Sequence, residues 1–304
     1  MGLFDKDERV SNILRPRTFS EFTGQANAVE LLTTVRDKAT QRGEPIPHIL
    51  LHGPPGLGKT TLANIVAGNK KIITLTGGAF TRDLIVKEKF FHRKIEPNSV
   101  LFIDEIHNMR VSVMEELYSV MEDGVLHVNG STVSISPFTL IGATTDRGKL
   151  PPPMRDRFEI DIRLEYYSED FLVAMLSKMQ SKLGIRLNDT ELREIAAYSR
   201  GTPRIAANYL KRVRDIGNIQ KAWSLLRVTD KGLTTVDRAV LSCILNMFNG
   251  GPVGAKLLAS TYGGDEEELH THIEPFLFKL GLLAITPRGR KLTQQGIVYA
   301  GLYP

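Results

Sequence analysis

Residues 48–67 read HILLHGPPGLGKTTLANIVA, and their order decides the fold of the first half of the chain. A short apolar run, His48–His52, leads into Gly53-Pro54-Pro55-Gly56-Leu57-Gly58-Lys59-Thr60, which satisfies G-x-x-x-x-G-K-[ST], and a run with helical spacing opens at Thr60-Thr61. Glycines let such a loop turn tightly and aim its N–H groups at phosphate oxygens, while the positive end of the following helix favours the anion. In that arrangement Lys59 reaches the β- and γ-phosphates and the Thr60 hydroxyl ligates a metal, so ATP and Mg²⁺ are the expected cofactors.

Outward from this stretch, further apolar runs occur at Lys71–Thr76, Val100–Asp104, Phe138–Ala143 and Ile160–Leu164. Stretches with helical spacing, among them Ala28–Gln41 and Val113–Glu122, lie between them. Alternation of buried strands with helices predicts a doubly wound α/β domain over residues 1–163, with a parallel five-stranded sheet. The Val100–Ile103 run ends in Asp104-Glu105, which puts two carboxylates at the carboxyl edge of the sheet, where open α/β sheets do their chemistry. Asp104 is expected to hold Mg²⁺, directly or through water, and Glu105 to orient and deprotonate the attacking water. Thr144 and Thr145 follow the fourth run, with hydroxyls suited to the γ-phosphate or its water. Pro151-Pro152-Pro153 then precedes Met154-Arg155-Asp156-Arg157-Phe158, a stiff turn suited to delivering a guanidinium to a neighbouring subunit's γ-phosphate. An ordinary ion pair of Arg157 with Asp156 is the alternative.

After Tyr167 the pattern turns helical. Ser168 can cap a helix through Leu183, Asn188 or Asp189 one through Ser199, and a third follows Gly201-Thr202-Pro203, giving a small helical domain over 164–231. Residues 232–304 read as helices over Val236–Phe248, Ala255–Tyr262 and Asp265–Leu280, the last closed by Gly281, then two extended runs around a turn, LLAIT-PRGR-KLTQ. Three helices and a hairpin predict a winged helix. Its third helix opens Asp265-Glu266-Glu267-Glu268, which repels phosphates, whereas Arg288, Arg290 and Lys291 on the wing suit DNA backbone contact. A merely solvated turn is the alternative for these three.

The chain has 304 residues, with 42% hydrophobic, 24% charged and a formal net charge of +5, which excludes disorder and permits a nucleic-acid partner without demanding one. No run approaches the ~18 apolar residues of a membrane span, and the start MGLFDKDERVSN lacks a signal-peptide pattern, so a cytoplasmic location without a membrane partner is expected. The single cysteine, Cys243, sits among Leu241, Ile244 and Leu245 and reads as a small buried hydrophobe. No Cys/His cluster has metal spacing, so no structural metal is expected.

Beyond the phosphate loop, the chain resembles the RuvB family of AAA+ ATPases, the motors of bacterial Holliday-junction branch migration. The resemblance runs through RPRTFSEFTGQ (15–25), HILLHGPPGLGKTTLANIVA (48–67), VLFIDEIH (100–107), PFTLIGATT (137–145), MRDRFEI (154–160), RGTPRIAANYLKRVRD (200–215), GGPVG (250–254) and TPRGR (286–290). It implies Thr145 as the sensor 1 residue, Arg157 as an arginine finger acting in trans, and Arg204 as the sensor 2 arginine of a helical lid. It also implies an adenine pocket from Arg15, Pro16, Phe22, Thr23, Gly24, Tyr167 and Pro203, a hexameric ring, and four-way-junction or duplex DNA as partner. Three segments are shorter than the family's: the N-terminus, the stretch between Asp215 and Thr235, and Gly124–Ser136, which holds only a stub, Leu126–Val128 and Val133–Ile135 around Asn129-Gly130. In the family that last hairpin is longer and docks RuvA, so its loss argues against RuvA as partner. Asn108 and Asp146 stand where the family usually has arginine. A ring-forming DNA motor is the leading reading; an ATP-switched loader placing another protein on DNA, or a scaffold with incidental turnover, are the alternatives.

Overall fold

The computed structural model describes residues 13–86, 90–128, 130–229 and 231–302. The first part of the chain lays down α1 (Ala26–Arg42), β1 (Ile49–His52), α2 (Lys59–Ala67), β2 (Ile72–Thr76), α3 (Arg82–Val86), α4 (Phe90–Lys94) and β3 (Val100–Asp104). It continues with α5 (Val111–Glu122), β4 (Val125–Val128), β5 (Ser131–Ser134), β6 (Thr139–Thr144), α6 (Pro152–Arg155) and β7 (Ile160–Arg163). Five strands form one parallel sheet in the order β2-β3-β6-β1-β7, as the apolar runs predict, with the ends shifted by a residue or so. β3 and β6 are buried on both faces because helices cover them on either side, which is why they read as continuous apolar runs instead of alternating ones. Phe80, Phe91, Leu101, Met114, Leu117 and Phe138 anchor the core on one face.

β4 and β5 pair as a short antiparallel hairpin, Val125↔Ser134 to Val128↔Ser131. Leu126 and Ile135 belong to the core beneath α5, and Val133 packs against it. The exposed side chains His127, Ser131, Thr132 and Ser134 are polar. Asn129, which the sequence places at the tip, lies outside the described residues, as does the start MGLFDKDERVSN.

Contacts divide the chain into two compact units. One runs up to Lys182 and includes Thr202–Arg204; the other comprises Leu183–Gly201 and the chain from Ile205 onward. The first unit therefore keeps nearly all of α7 (Glu169–Leu183), whose start is capped by the Ser168 hydroxyl accepting from the Phe171 N–H at 3.4 Å. The second unit carries α8 (Asp189–Tyr198), α9 (Pro203–Ile216) from Ile205 onward, and α10 (Ile219–Leu226). Of the two candidate caps, Asn188 is the one used: it forms a capping box with Glu191. The sequence reading passed over α10, although Asn218 caps it by accepting from the Lys221 N–H at 2.8 Å. The single Trp223 of this helix sits between the rings of Tyr198 and Tyr209, and its Nε1 donates to Glu194 at 2.9 Å.

α11 (Thr235–Phe248) and α12 (Ala255–Tyr262) follow where expected. Cys243 is buried. The third helix, α13, is interrupted: Glu266–Glu268 and Glu274–Lys279 are α-helical, but Leu269–Ile273 is a π turn. Pro275 supplies the reason, since it has no N–H to donate to the Thr271 carbonyl and its ring collides with that group, so the helix widens there. β8 (Leu283–Thr286) and β9 (Gly289–Leu292) form the wing, and their register pairs Ile285 with Arg290 and Thr286 with Gly289. The turn is therefore the dipeptide Pro287-Arg288, and Arg290, expected on the turn, lies in the second strand instead. A last helix, α14 (Gln294–Leu302), packs on α11; its sequence, QQGIVYAGL, gave no helical signal because β-branched, aromatic and glycine residues crowd it. Among the described residues no helix is long and apolar enough to cross a membrane.

Candidate nucleotide site and wing

Every parallel strand ends at the same edge, so the sheet itself assembles the site. β1 runs into Gly53, whose N–H donates to the Thr144 carbonyl of β6 at 3.2 Å. Gly53 has φ 135, and a Cβ there would stand 2.4 Å from the Leu164 carbonyl, so only glycine fits this turn. Lys59 opens α2 with only 6% of its surface exposed, and its ammonium donates to the carbonyls of Gly53 at 2.7 Å and Pro54 at 3.0 Å. Burial pushes its pKa down, against the pull of Glu105 and Asp104. Pro55 and Thr61 are half-buried.

Across the edge, Thr60 Oγ1 donates to Asp104 Oδ2 at 3.4 Å, and the Glu105 N–H donates to Asp104 Oδ1 at 3.1 Å. Burial raises the Asp104 pKa, and the neighbouring Glu105 charge adds to the rise; the Glu105 N–H, Lys59 and Thr60 oppose it. Glu105 itself has φ 46, a conformation that non-glycine residues seldom adopt. Its Oε2 accepts from the Thr145 N–H at 3.0 Å and from the Thr145 hydroxyl at 2.9 Å. His107 was not foreseen, yet its Nδ1 stands 2.8 Å from Thr144 Oγ1 and 3.2 Å from Glu105 Oε2. The signal was present in the sequence, three residues after Asp104 in the short turn that follows the strand.

A second wall collects behind the loop. The Phe22 ring lies against Gly58, where a Cβ would meet it at 3.1 Å. Gly24, with φ +82, packs so closely on Tyr167 that a Cβ would fall 2.5 Å from the ring. The buried Tyr167 donates its hydroxyl proton to the Leu57 carbonyl at 3.3 Å, and burial raises its pKa strongly. Gln25, also unforeseen, fixes this arrangement by donating to the Glu165 carbonyl at 2.7 Å. Thr23 accepts from Lys178 of α7 at 3.4 Å. Pro203 starts α9, and the Arg204 N–H donates to the Gly56 carbonyl at 3.3 Å, with Arg204 Cβ 2.9 Å from where a Gly56 Cβ would stand. Of the expected wall, Arg15 is exposed and Pro16 half-buried.

Arg157 is elsewhere. It precedes β7 by three residues, and Ile160 of β7 pairs with Ile49 at the start of β1, so Arg157 lies off the amino edge of the sheet, opposite the phosphate loop. Its guanidinium donates to the Pro153 carbonyl at 2.6 Å and to Glu122 Oε2 at 3.0 Å and stacks over the Tyr118 ring at 4.2 Å. The acidic partner is therefore Glu122, not Asp156.

On the wing, Arg288 and Lys291 are exposed. Arg290 is not free: its Nε donates to Glu274 Oε1 at 2.6 Å, its Nη2 to Oε2 at 3.3 Å, and Nη2 lies 3.1 Å from His270 Nδ1. Glu274 is buried in α13, so this ion pair braces the wing on the third helix.

Comparison with known proteins covers almost the whole chain. Residues 14–164 match a family model described as the Holliday junction DNA helicase RuvB P-loop domain, 167–237 the RuvB AAA lid domain, and 230–301 the RuvB C-terminal winged helix domain. The chain is 42% identical to a Holliday junction branch migration complex subunit RuvB of Thermobifida fusca, with 98% of this chain and 90% of that protein aligned. It is 40% identical to the Myxococcus xanthus protein of the same description, over 97% and 91%. Among solved structures, the Thermotoga maritima RuvB Holliday junction branch migration motor superposes with a TM-score of 0.86 at 37% identity, covering 95% of this chain and 98% of that one.

The contact between Gly24 and Tyr167 yields a direct test of the rear wall. Gly24→Val should force the Tyr167 ring away and weaken binding of a fluorescent adenine nucleotide by at least about tenfold, while circular dichroism stays unchanged. Unaltered affinity would remove this wall from the site.

Proposed function

The chain belongs to the RuvB family, and from that premise we propose that it is an ATP-driven motor that moves Holliday junctions by hydrolysing ATP between the subunits of a ring. The observation that carries the reading is the placing of Arg157 at one edge of the sheet and the phosphate loop at the other. A single copy holds both halves of a site and can join neither. In a head-to-tail ring each copy offers its finger to the next copy's loop, the heterologous arrangement that closes into rings, and a hexamer is the form we propose.

The residues at the carboxyl edge fit a nucleotide with Mg²⁺. Gly53 to Gly58 offer a glycine-bent backbone, Lys59 an ammonium held by carbonyls of the loop that a phosphate can replace, and Thr60 with Asp104 two hard oxygen donors side by side. Thr60 and Asp104 would hold the Mg²⁺, which would supply positive charge to offset the negative charge that builds up in phosphoryl transfer. Glu105 takes the proton of the attacking water, and Thr145 holds that carboxylate in place through two hydrogen bonds. Phe22, Gly24 and Tyr167 enclose the base, and Thr202–Arg204 closes over Gly56. Arg157 leaves Glu122 to neutralise the γ-phosphate of the adjacent copy.

DNA is held by the wing without reading sequence, through Arg288 and Lys291, with Arg290 bracing them through Glu274. Leu126 and Ile135 of the Gly124–Ser136 hairpin belong to the core and Val133 packs against it, so we propose that delivery to the junction does not use RuvA docked there. The loader reading is not favoured, since the relatives are named as branch-migration subunits.

The test is ATP-driven migration of a synthetic four-way junction by the purified chain without RuvA. Migration is expected, and Glu105→Gln should retain ATP binding while turnover falls by about 10²-fold or more; a folded, ATP-binding chain that moves no junction contradicts the reading. Replacing Arg288 and Lys291 together by alanine should weaken duplex binding and reduce the slope of log affinity against log salt by about 2. An unchanged slope would take the wing out of the DNA contact.

A further inference from the structure

Five residues, Arg200-Gly201-Thr202-Pro203-Arg204, have one end in each compact unit. Thr202–Arg204 belongs with the phosphate loop, where the Arg204 N–H donates to the Gly56 carbonyl. Arg200 and Gly201 belong to the unit that carries α8 and the winged helix. Both have positive φ, 59 and 74, and so reverse the chain at the end of α8. Glycine is the natural residue for such a position and asparagine the usual substitute. Arginine at the first of the two is a choice that local backbone preference opposes, so its side chain must account for it.

That side chain is fully engaged within its own unit. Nη2 donates to Asp237 Oδ2 and, at 3.1 Å, to the Gly232 carbonyl, while Nη1 donates to Asp237 Oδ1 at 3.3 Å. The guanidinium carbon lies 4.3 Å from the centre of the Phe276 ring in α13. Asp237 is 1% exposed and is also the third residue of the capping box that starts α11, accepting from the Thr234 N–H at 2.7 Å and from its hydroxyl at 2.6 Å. One guanidinium thus grips the first helix of the winged domain at its cap and the third by its ring. The backbones also meet: a Cβ on Gly232 would stand 2.6 Å from the Tyr198 carbonyl at the end of α8.

We propose that Arg200 is the positioning residue that couples the nucleotide site to the DNA-binding domain. The short peptide 200–204 acts as a strut, with Arg204 following the state of the phosphate loop at one end and Arg200 turning the winged helix at the other. This inference rests on the motor reading above. It assigns no contact with ATP or DNA to Arg200, whose action runs through Asp237 and Phe276.

The test uses the full-length chain and two variants. Arg200→Lys keeps a charge opposite Asp237 but loses the two-pronged fork and the stacking. Arg200→Met with Asp237→Asn removes both buried charges together, so that no unpaired one is left, and the asparagine oxygen can still cap α11. Folding is checked by the fluorescence of Trp223, the single tryptophan, which lies in the same unit. The first readout is base pairs exchanged per ATP hydrolysed, a ratio that partial unfolding does not move because unfolded molecules do neither. Basal ATP turnover without DNA should stay within about twofold, while the ratio falls at least about fivefold in the double variant and by a smaller factor in Arg200→Lys. The second readout is the ratio of duplex affinities with ADP and with a slowly hydrolysed ATP analogue, which should differ from one in the wild type and collapse towards one in the variants. Should the double variant not fold, Arg200→Lys decides. A wild-type chain that moves no junction refutes the motor reading, and the affinity ratio still judges the strut. An unchanged exchange ratio in a folded variant, or a wild-type affinity indifferent to nucleotide, overturns the proposal.

Discussion

The parallel pairing of β1 with both β6 and β7 is the constraint from which the chemistry follows. Because Ile49 is in register with Ile141 and with Ile160, the loops after His52 and Thr144 open on one edge, while the segment entering β7 is delivered to the other. β3, paired to β6 from Val100↔Thr139 onward, adds Asp104 and Glu105 to the first edge. An antiparallel sheet of the same strands would scatter these groups. The same register separates Arg157 from the loop of its own chain by the full length of the strands, ~3.3 Å for each residue. On the proposed reading of Arg157 as a finger, assembly is then a requirement of the chemistry and not an addition to it.

Within the phosphate edge the charges are balanced without being quenched. Among the described residues no carboxylate is bonded to the Lys59 ammonium; two main-chain carbonyls hold it, and Glu105 and Asp104 act on it through space. Burial, and after it the adjacent Glu105 charge, raise the cost of ionising Asp104, a cost a divalent cation would remove. Thr145 uses both its N–H and its hydroxyl on Glu105, and His107 spans the gap between that carboxylate and Thr144. The hydrogen bonds from Thr145 converge on Oε2 and so fix the orientation of the carboxylate.

The first domain was legible because its signals are local and consistent: five apolar runs, a glycine loop with its lysine, and acids at a strand end. The winged helix was legible in outline, and its errors have identifiable causes. A proline inside an otherwise periodic helix reads as a tolerated interruption, and the π turn before Pro275 appears only when the hydrogen bonds are followed. Arg290 looks free in TPRGR because its partner, Glu274, is 16 residues away in sequence. His107, Gln25 and Glu122 were passed over for the same reason, since their roles come from tertiary neighbours. Arg200 is the extreme case: the sequence marks it only as part of a family motif, and its contacts with Asp237, Gly232 and Phe276 are all distant in the chain.

The central claim, that one chain cannot complete its own site, is tested most directly by mixing two inactive variants, Arg157→Ala and Glu105→Gln, in equal amounts under conditions that let subunits exchange. If the finger acts on the adjacent copy, some interfaces combine an intact Glu105 from one chain with an intact Arg157 from the other, and ATP turnover recovers to about a quarter of the wild-type value for random mixing in a ring of independent sites. Turnover in the mixture no higher than that of the separate variants would contradict the account.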